Sequence, residues 1–153
     1  IPSGFKNKKY DYVIFNPPFY DADGSMKLAR DDKDIAKREQ KISLDDWLDV
    51  ALKRCSMNGH IILIHQVERL GQILKRLDGN VGDIKILPIS SFKGKNANRV
   101  IVKGKKGSSA PMQLLPPLFM HEICNGHKSR ASYTHEVESI LRDGQPINWQ
   151  EQN

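Results

Sequence analysis

Apolar runs alternate with amphipathic segments along the first half of the chain. Residues 10–15 and 60–65 each contain an unbroken run of β-branched or other large apolar side chains. Such runs, without polar alternation, are typical of central strands covered on both faces by helices. Apolar residues at helical spacing follow each run and predict helices over 43–58 and 67–77, each ended by an Asn-Gly or Asp-Gly pair. This order predicts an α/β fold with parallel strands.

The second half of the chain predicts a different arrangement of strands. Strands are expected over 81–89 and 99–102, and a basic, glycine-containing connection between them predicts an antiparallel hairpin at the edge of the sheet. Residues 112–122 are too proline-broken for a central strand and are expected to add a short edge segment. A last helix is predicted between a cap at Thr134 and a stop at Gly144, and residues 145–153 are expected to be a frayed tail.

The first strand stops abruptly at Asn16-Pro17-Pro18-Phe19. Neither proline can donate a backbone hydrogen bond, so both end the strand and stiffen the corner. Asn16 is therefore expected at the carboxyl end of a parallel strand, where open α/β sheets place their ligand crevice. The Asn16 amide and the Pro17 carbonyl offer two neighbouring acceptors for an amine, and Phe19 offers a flat face for a planar base. The alternative is a turn that only ends the strand.

Composition sets the class of protein. A chain of 153 residues is long enough for one domain with a sizeable core. Its net charge of +6 favours a polyanionic partner, although a solvated basic surface explains the same excess. Cys55 and Cys124 lie in apolar surroundings, which indicates free thiols in a reducing, cytoplasmic setting. No apolar run approaches the roughly 20 residues of a membrane span, and no histidine spacing predicts a metal site.

Positive charge concentrates in two stretches. Residues 20–42 are rich in charged side chains and predict a long solvated loop, and the hairpin around residues 93–105 is also basic. The residues expected to contact nucleic acid share a positive side chain in one of these stretches: Lys27, Arg30, Lys93, Lys95, Arg99, Lys103 and Lys105. Ordinary surface charge, or lysines that protect an edge strand from aggregation, is the alternative.

The corner also carries a resemblance to a known family. Asn16-Pro17-Pro18-Phe19 after a hydrophobic strand resembles motif IV of the S-adenosylmethionine-dependent amino-methyltransferases, which methylate adenine N6 in nucleic acids or glutamine side chains. The resemblance implies that Asn16 and Pro17 hold the target nitrogen, with Asn16 beside the cofactor, and that Phe19 stacks on the base. It also implies a Rossmann-like class I methyltransferase sheet, in which parallel strands are followed by an antiparallel edge hairpin.

Four short motifs near the carboxyl terminus narrow the resemblance. Lys106-Gly107-Ser108, Leu114-Leu115-Pro116-Pro117-Leu118, His121-Glu122 and Tyr133-Thr134-His135-Glu136 resemble the signature of bacterial tRNA adenine-N6 methyltransferases acting on a valine tRNA anticodon loop. The resemblance thus implies adenine N6 in tRNA as the acceptor. Two alternatives remain: glutamine N5 methylation of a translation factor, and an RNA-binding or assembly fragment without catalysis.

The glycine-rich cofactor loop of the resembled family lies before motif IV, and no Gly-x-Gly-x-x-Gly pattern occurs in this chain. The resemblance therefore implies that residues 1–153 correspond to the carboxyl-terminal part of a single methyltransferase domain, without the half that carries the cofactor loop. Alone, such a part is expected to bind S-adenosylmethionine weakly and to be inactive. Its first strand is expected to expose an edge, which predicts self-association.

Overall fold

The computed structural model describes residues 8–18, 42–122 and 132–149, which form a mixed sheet with helices on both faces. The strands are β1 (Tyr10–Phe15), β2 (Cys55–Gln66), β3 (Val81–Ser90), β4 (Arg99–Lys106), β5 (Gln113–Leu114) and β6 (Leu118–Phe119). The helices are α1 (Leu44–Arg54), α2 (Leu70–Leu77), preceded by a 3-10 turn at Val67–Arg69, and α3 (His135–Asp143). None of these helices has the length and apolar character needed to cross a lipid bilayer.

The order of strands is β1-β2-β4-β3-β5, and β6 also pairs with β3. β1 and β2 are parallel, whereas β4 is antiparallel to both β2 and β3, so that β1, β2 and β3 run in one direction. The predicted α/β fold and its antiparallel hairpin are thus confirmed. β4 lies inside the sheet between β2 and β3, and the short strands β5 and β6 add parallel to the outer side of β3.

α1 and α2 cover one face of the sheet. Ser43 begins α1 with a reciprocal cap, in which its hydroxyl accepts from the Asp46 N–H (3.2 Å) and its N–H donates to the Asp46 carboxylate (2.9 Å). The hydrogen bonds from Ser43 lower the pKa of Asp46. The buried apolar residues beneath these helices form the larger core: Leu48, Ala51, Cys55, Ile61, Leu63, Ile73, Leu77, Val81, Ile84, Ile86, Val100 and Val102.

The predicted end of the first helix is wrong. α1 ends at Arg54 and β2 begins at Cys55, a free thiol whose pKa is raised by burial. Lys106 closes the last turn, because its Nζ donates to the Leu52 carbonyl (2.5 Å) and the Cys55 carbonyl (3.1 Å). Asn58 has a positive φ of 64° inside β2, where the pairing with β1 shifts register. The Asn-Gly pair therefore marks a bulge in the strand and not the end of a helix.

α3 and the segment after it cover the other face. The Thr134 hydroxyl accepts from the Val137 N–H (3.3 Å) and Gly144 ends the helix at a φ of 67°, as predicted. Residues 145–149, expected to fray, lie on the sheet: Ile147 and Trp149 pack against the smaller core, and Lys85 Nζ donates to the Trp149 carbonyl (3.1 Å). Apolar burial outweighs the entropy of a free tail here. Residues 150–153 lie outside the described part.

β1 is buried less than expected. Its side chains alternate, so that Val13 and Phe15 pack against the core under α1, while Tyr12 and Ile14 on the other face are 62% and 71% exposed. The expectation of helices on both faces is thus wrong for β1 within the described residues, because α3 lies over β3 and does not reach β1. No strand among residues 8–18, 42–122 and 132–149 pairs with the outer edge of β1.

Candidate active site

The Asn-Pro-Pro corner lies directly after β1. β1 pairs with β2 up to Phe15, which is opposite Leu63, and Pro17 is fully buried two residues later. Asn16 and Pro18 on either side of it are exposed. The buried ring anchors the corner, so the Asn16 side chain is presented to solvent at the end of the strand. This is the placement that the sequence predicts for a ligand-binding amide.

Packed rings lie at the end of β1, and a buried histidine lies near the end of the neighbouring strand β2. Phe15 stacks on Trp47 of α1 with ring centroids 6.2 Å apart and planes 7° apart. His65, near the end of β2, is only 3% exposed. Burial lowers the pKa of His65 and so favours its neutral form. The stacked rings of Phe15 and Trp47 thus hold the end of β1, directly before the corner, against α1.

The chemistry that this corner offers is hydrogen bonding. The exposed Asn16 amide provides one carbonyl acceptor and two N–H donors. The Pro17 carbonyl is a second acceptor, and proline has no backbone N–H. These two neighbouring acceptors can hold an amine in a fixed orientation. The roles assigned to Asn16, Pro17 and Pro18 stay predictions, and Phe19 lies outside the described residues.

Three of the predicted nucleic-acid contacts lie near the corner. β1, β2 and β3 end, and β4 begins, at one end of the sheet, which we call the carboxyl end. Arg99 begins β4 there, opposite Gln66, the last residue of β2. Lys93 and Lys95 are exposed in the connection between β3 and β4 at the same end. These three positive side chains thus share the carboxyl end of the sheet with Asn16.

The other predicted contacts do not join them. Lys105 lies opposite His60, six residues along β4 from Arg99, or about 20 Å at the usual strand rise. Lys103 lies between them, and its Nζ is 5.0 Å from the centre of the Trp149 ring. The length of β4 thus separates Lys105 from the carboxyl end of the sheet, and the nucleic-acid contacts expected of Lys103 and Lys105 stay predictions. Lys27 and Arg30 lie outside the described residues.

Sequence reasoning missed a stack of three rings at the carboxyl end. His121 lies between Phe92 and Tyr133, with centroid distances of 5.5 Å and 5.2 Å. We call these three residues the aromatic stack. His121 and Tyr133 meet through an isolated antiparallel bridge. No periodicity links positions so far apart along the chain, so only the occurrence of aromatic residues near strand ends could have pointed to the stack.

Other ligand sites in the described part of the chain are modest. A shallow cleft of about 290 Å³ lies beside β5, β6 and α3 and does not include Asn16. Its lining is mostly apolar: Leu87, Leu115, Pro116, Pro117, Leu118, Phe119, Glu136, Ile147 and Asn148. Among the side chains that the structure describes, no three His, Cys, Asp or Glu residues are grouped to hold a metal ion. The Asn-Pro-Pro corner is therefore the candidate site, because of its hydrogen-bonding groups and its position at the carboxyl end of parallel strands.

Comparison with known proteins supports the fold. A solved structure of a predicted O-methyltransferase from Agrobacterium tumefaciens matches with a TM-score of 0.65 and 23% identity over 90% of this chain. The described residues share its Rossmann-like fold. M1.HpyAVI in complex with SAM and M1.HpyAVI alone match with TM-scores of 0.40 and 0.39, at 14% and 15% identity over 80% and 73% of this chain. No protein-family model and no curated protein matches the sequence.

The matches also differ from this chain in length. This chain covers 53% of the Agrobacterium protein and 54% and 59% of the two M1.HpyAVI chains. It therefore spans a little over half the length of the solved structures it resembles. Activity, substrate and partners are accordingly matters for proposal.

Proposed function

We propose that this chain belongs to an S-adenosylmethionine-dependent methyltransferase that acts on the exocyclic N6 amine of adenine in RNA, specifically in a tRNA anticodon loop. The observation that carries the proposal is the corner after β1, where Pro17 is buried and Asn16 is exposed at the carboxyl end of parallel strands. The similar solved structure is described as a predicted O-methyltransferase, which supports methyl transfer as the chemistry of the fold.

The corner supplies orientation in this reaction. S-adenosylmethionine would supply the methyl group: its sulfonium C–S bond would break as the N–C bond forms, leaving a neutral thioether, and the methylated amine would release its proton to water. The Asn16 carbonyl and the Pro17 carbonyl accept the two N–H groups of the amine and so direct its lone pair at the methyl carbon. Pro18 limits the motion of the corner, and Phe19 provides the face on which the adenine ring stacks. A strong base is not required.

The charge near the corner supports a nucleic acid as substrate. Lys93, Lys95 and Arg99 lie at the same end of the sheet as Asn16, where phosphates flanking a bound nucleotide would pass. An adenine in an anticodon loop is unpaired or readily splayed out, so little stacking energy opposes its entry into the corner. The carboxyl-terminal motifs favour tRNA over other RNA.

Glutamine methylation of a translation factor uses a similar Asn-Pro-Pro corner and is the main rival. An acceptor glutamine does not need a row of positive charges beside the corner, whereas a nucleic acid does. The position of Lys93, Lys95 and Arg99 therefore favours RNA. A non-catalytic RNA-binding role would explain the charges but would leave the exposed amide of Asn16 without a function.

The test is transfer of labelled methyl groups to unmodified tRNA by the protein at its natural length. Asn16→Ala should lower kcat/KM by about 100-fold or more, since loss of alignment in a reaction driven by orientation is expensive. Asn80→Ala is the matched control, because Asn80 lies in the turn before β3 at the opposite end of the sheet, and it should retain full activity. Labelling of protein substrates but not of tRNA would contradict the assignment.

A further inference from the structure

We propose that the aromatic stack of Phe92, His121 and Tyr133, together with Lys93 and Lys95, binds an unpaired nucleotide of the RNA substrate a few positions away from the target adenine. This inference rests on the proposed function, because it names a second contact for the same substrate. Stacking of a base on an exposed ring and neutralisation of its phosphates by lysines are the two interactions that single-stranded RNA requires.

The geometry of the aromatic stack allows one more planar ring, a nucleobase, to stack on it. His121 and Tyr133 are nearly parallel, with an interplanar angle of 14°, and Phe92 packs against His121 at 39°. Tyr133 is the outer member and is 39% exposed, while Phe92 and His121 are half-buried. A base that stacks on the exposed part of the Tyr133 ring would therefore extend this series of ring contacts.

The backbone holds this column rigidly before any ligand arrives. The His121 N–H donates to the Ser91 carbonyl (3.0 Å), which ties the segment after β6 to the end of β3. The Thr134 N–H donates to the Met120 carbonyl (3.1 Å), which fixes Tyr133 against that segment. Rings that are already ordered lose little conformational entropy when a base stacks on them, so binding is favoured by pre-organisation.

The aromatic stack lies at the same end of the sheet as Asn16. β3 ends at Ser90, just before Phe92, and three interstrand spacings separate β3 from β1 in the order of strands. At about 4.8 Å per spacing, the stack is on the order of 14 Å from the corner along the sheet. A short stretch of unpaired RNA spans that distance. The target adenine and the stacked base would then belong to the same loop.

The lysines are placed to contact the phosphates between the two bases. Lys93 and Lys95 are exposed and follow Phe92 in the same turn, in which the Lys95 N–H donates to the Phe92 carbonyl (3.1 Å). Glu122 is the exposed acid next to His121 in the chain, so the positive charge lies on the Phe92 side of the stack. RNA is therefore expected to run from the corner past the lysines towards Tyr133.

The test is binding of a fluorescein-labelled single-stranded RNA of about ten nucleotides, measured by anisotropy without cofactor. Tyr133→Ala should weaken binding by about 5- to 160-fold, the range for loss of one stacked base, whereas Tyr133→Phe keeps the ring and should bind as the wild type does. Tyr12→Ala is the matched control, because Tyr12 also stacks on a histidine, His60 at 5.3 Å, but lies within the outer strand β1, away from the aromatic stack. It should leave binding unchanged.

Equal binding by wild type and Tyr133→Ala would overturn the inference, as would an equal loss in Tyr12→Ala. A thermal melt of each variant shows whether it is folded, and recovery in Tyr133→Phe separates stacking from a structural effect. Asn16→Ala distinguishes this inference from the proposed function, because it should lower methyl transfer by about 100-fold or more and leave oligonucleotide binding nearly intact. A DNA oligonucleotide of the same sequence should bind more weakly if 2′-hydroxyls are recognised.

A second measurement tests the lysines independently. Each phosphate that a lysine neutralises steepens the salt dependence of binding, so the slope of log Kd against log salt should fall by about 0.7 in Lys93→Ala and in Lys95→Ala. Lys105→Ala provides the control, since Lys105 lies near the opposite end of β4 and should not change the slope. If all three variants showed the wild-type slope, Lys93 and Lys95 would not belong to the proposed binding surface.

Discussion

Ser90 organises the loop that carries the lysines at the carboxyl end. It is 1% exposed, and its hydroxyl lies within hydrogen-bond distance of the Lys95 carbonyl (2.8 Å) and the Phe92 carbonyl (3.0 Å). The backbone of residue 90 is used as well, because its carbonyl accepts from the Met120 N–H (2.9 Å). One buried side chain thus fixes the shape of a connection that otherwise faces mainly solvent.

Loss of the Ser90 hydroxyl should lower the stability of the whole domain. Ser90→Ala removes a buried donor and leaves the Phe92 and Lys95 carbonyls with one partner fewer, so we expect a loss of about 1 kcal/mol in the free energy of unfolding, measured by urea denaturation. Ser139→Ala in α3 removes a similar serine–carbonyl bond at an exposed site and should cost less than about 0.5 kcal/mol. Equal effects of the two changes would contradict the role of Ser90.

Single residues also show what sequence reasoning can reach. The position of Asn16 directly after a strand can be predicted from four consecutive residues, because prolines act locally on the backbone. Tyr133 and His121 were not predicted as partners, because a bridge between distant segments brings them together. Local backbone conformation can thus be predicted from the sequence, whereas contacts between distant segments depend on the complete fold.

Among the elements, β2 carries two histidines, His60 and His65, whose pKa values are shifted in the folded chain. Burial lowers the pKa of His65, and burial together with Lys103 and Lys105 lowers the pKa of His60. Both side chains therefore favour the neutral form in the folded chain. Their ordinary pKa of 6.5 applies once the chain unfolds.

The sign of the pH dependence follows from these shifts. Below pH 6.5 the unfolded chain takes up protons that the folded chain resists, so stability is full above that pH and falls as the pH is lowered. One such group contributes at most about 1.4 kcal/mol per pH unit. Urea unfolding between pH 7.5 and 5.5 should show the loss, and His65→Leu should flatten the curve. Identical curves for wild type and His65→Leu would contradict the assignment.

The boundary between α1 and β2 shows where prediction of elements fails. Asn58-Gly59 has the composition of a helix end, and the sequence around it predicts a helix up to that point. In the structure, Lys106 from β4 caps the helix four residues earlier, and the Asn-Gly pair takes the bulge opposite β1. Both the end of a helix and a bulge in a strand accept a residue with a positive φ, so the residue type alone does not distinguish them. Strand pairing between distant segments decides the outcome.

For the molecule as a whole, the second face of the sheet is covered unevenly. Over β3 and β4, α3 and the segment with Ile147 and Trp149 complete a small apolar core. Over β1, Tyr12 and Ile14 are exposed beside an outer strand edge that has no partner among the described residues. Apolar surface next to free backbone hydrogen-bonding groups is the combination that leads strands of separate chains to pair.

This surface predicts that the 153-residue chain self-associates through β1. Sedimentation velocity over a range of concentrations should show a dimer that grows with concentration. Ile14→Lys should reduce it strongly, because a charge replaces a side chain that is 71% exposed beside the free edge. Leu141→Lys is the control, since Leu141 is 59% exposed on α3, away from β1, and the dimer should persist. A strictly monomeric wild type would refute the prediction, and equal dimerisation of Ile14→Lys would place the interface elsewhere.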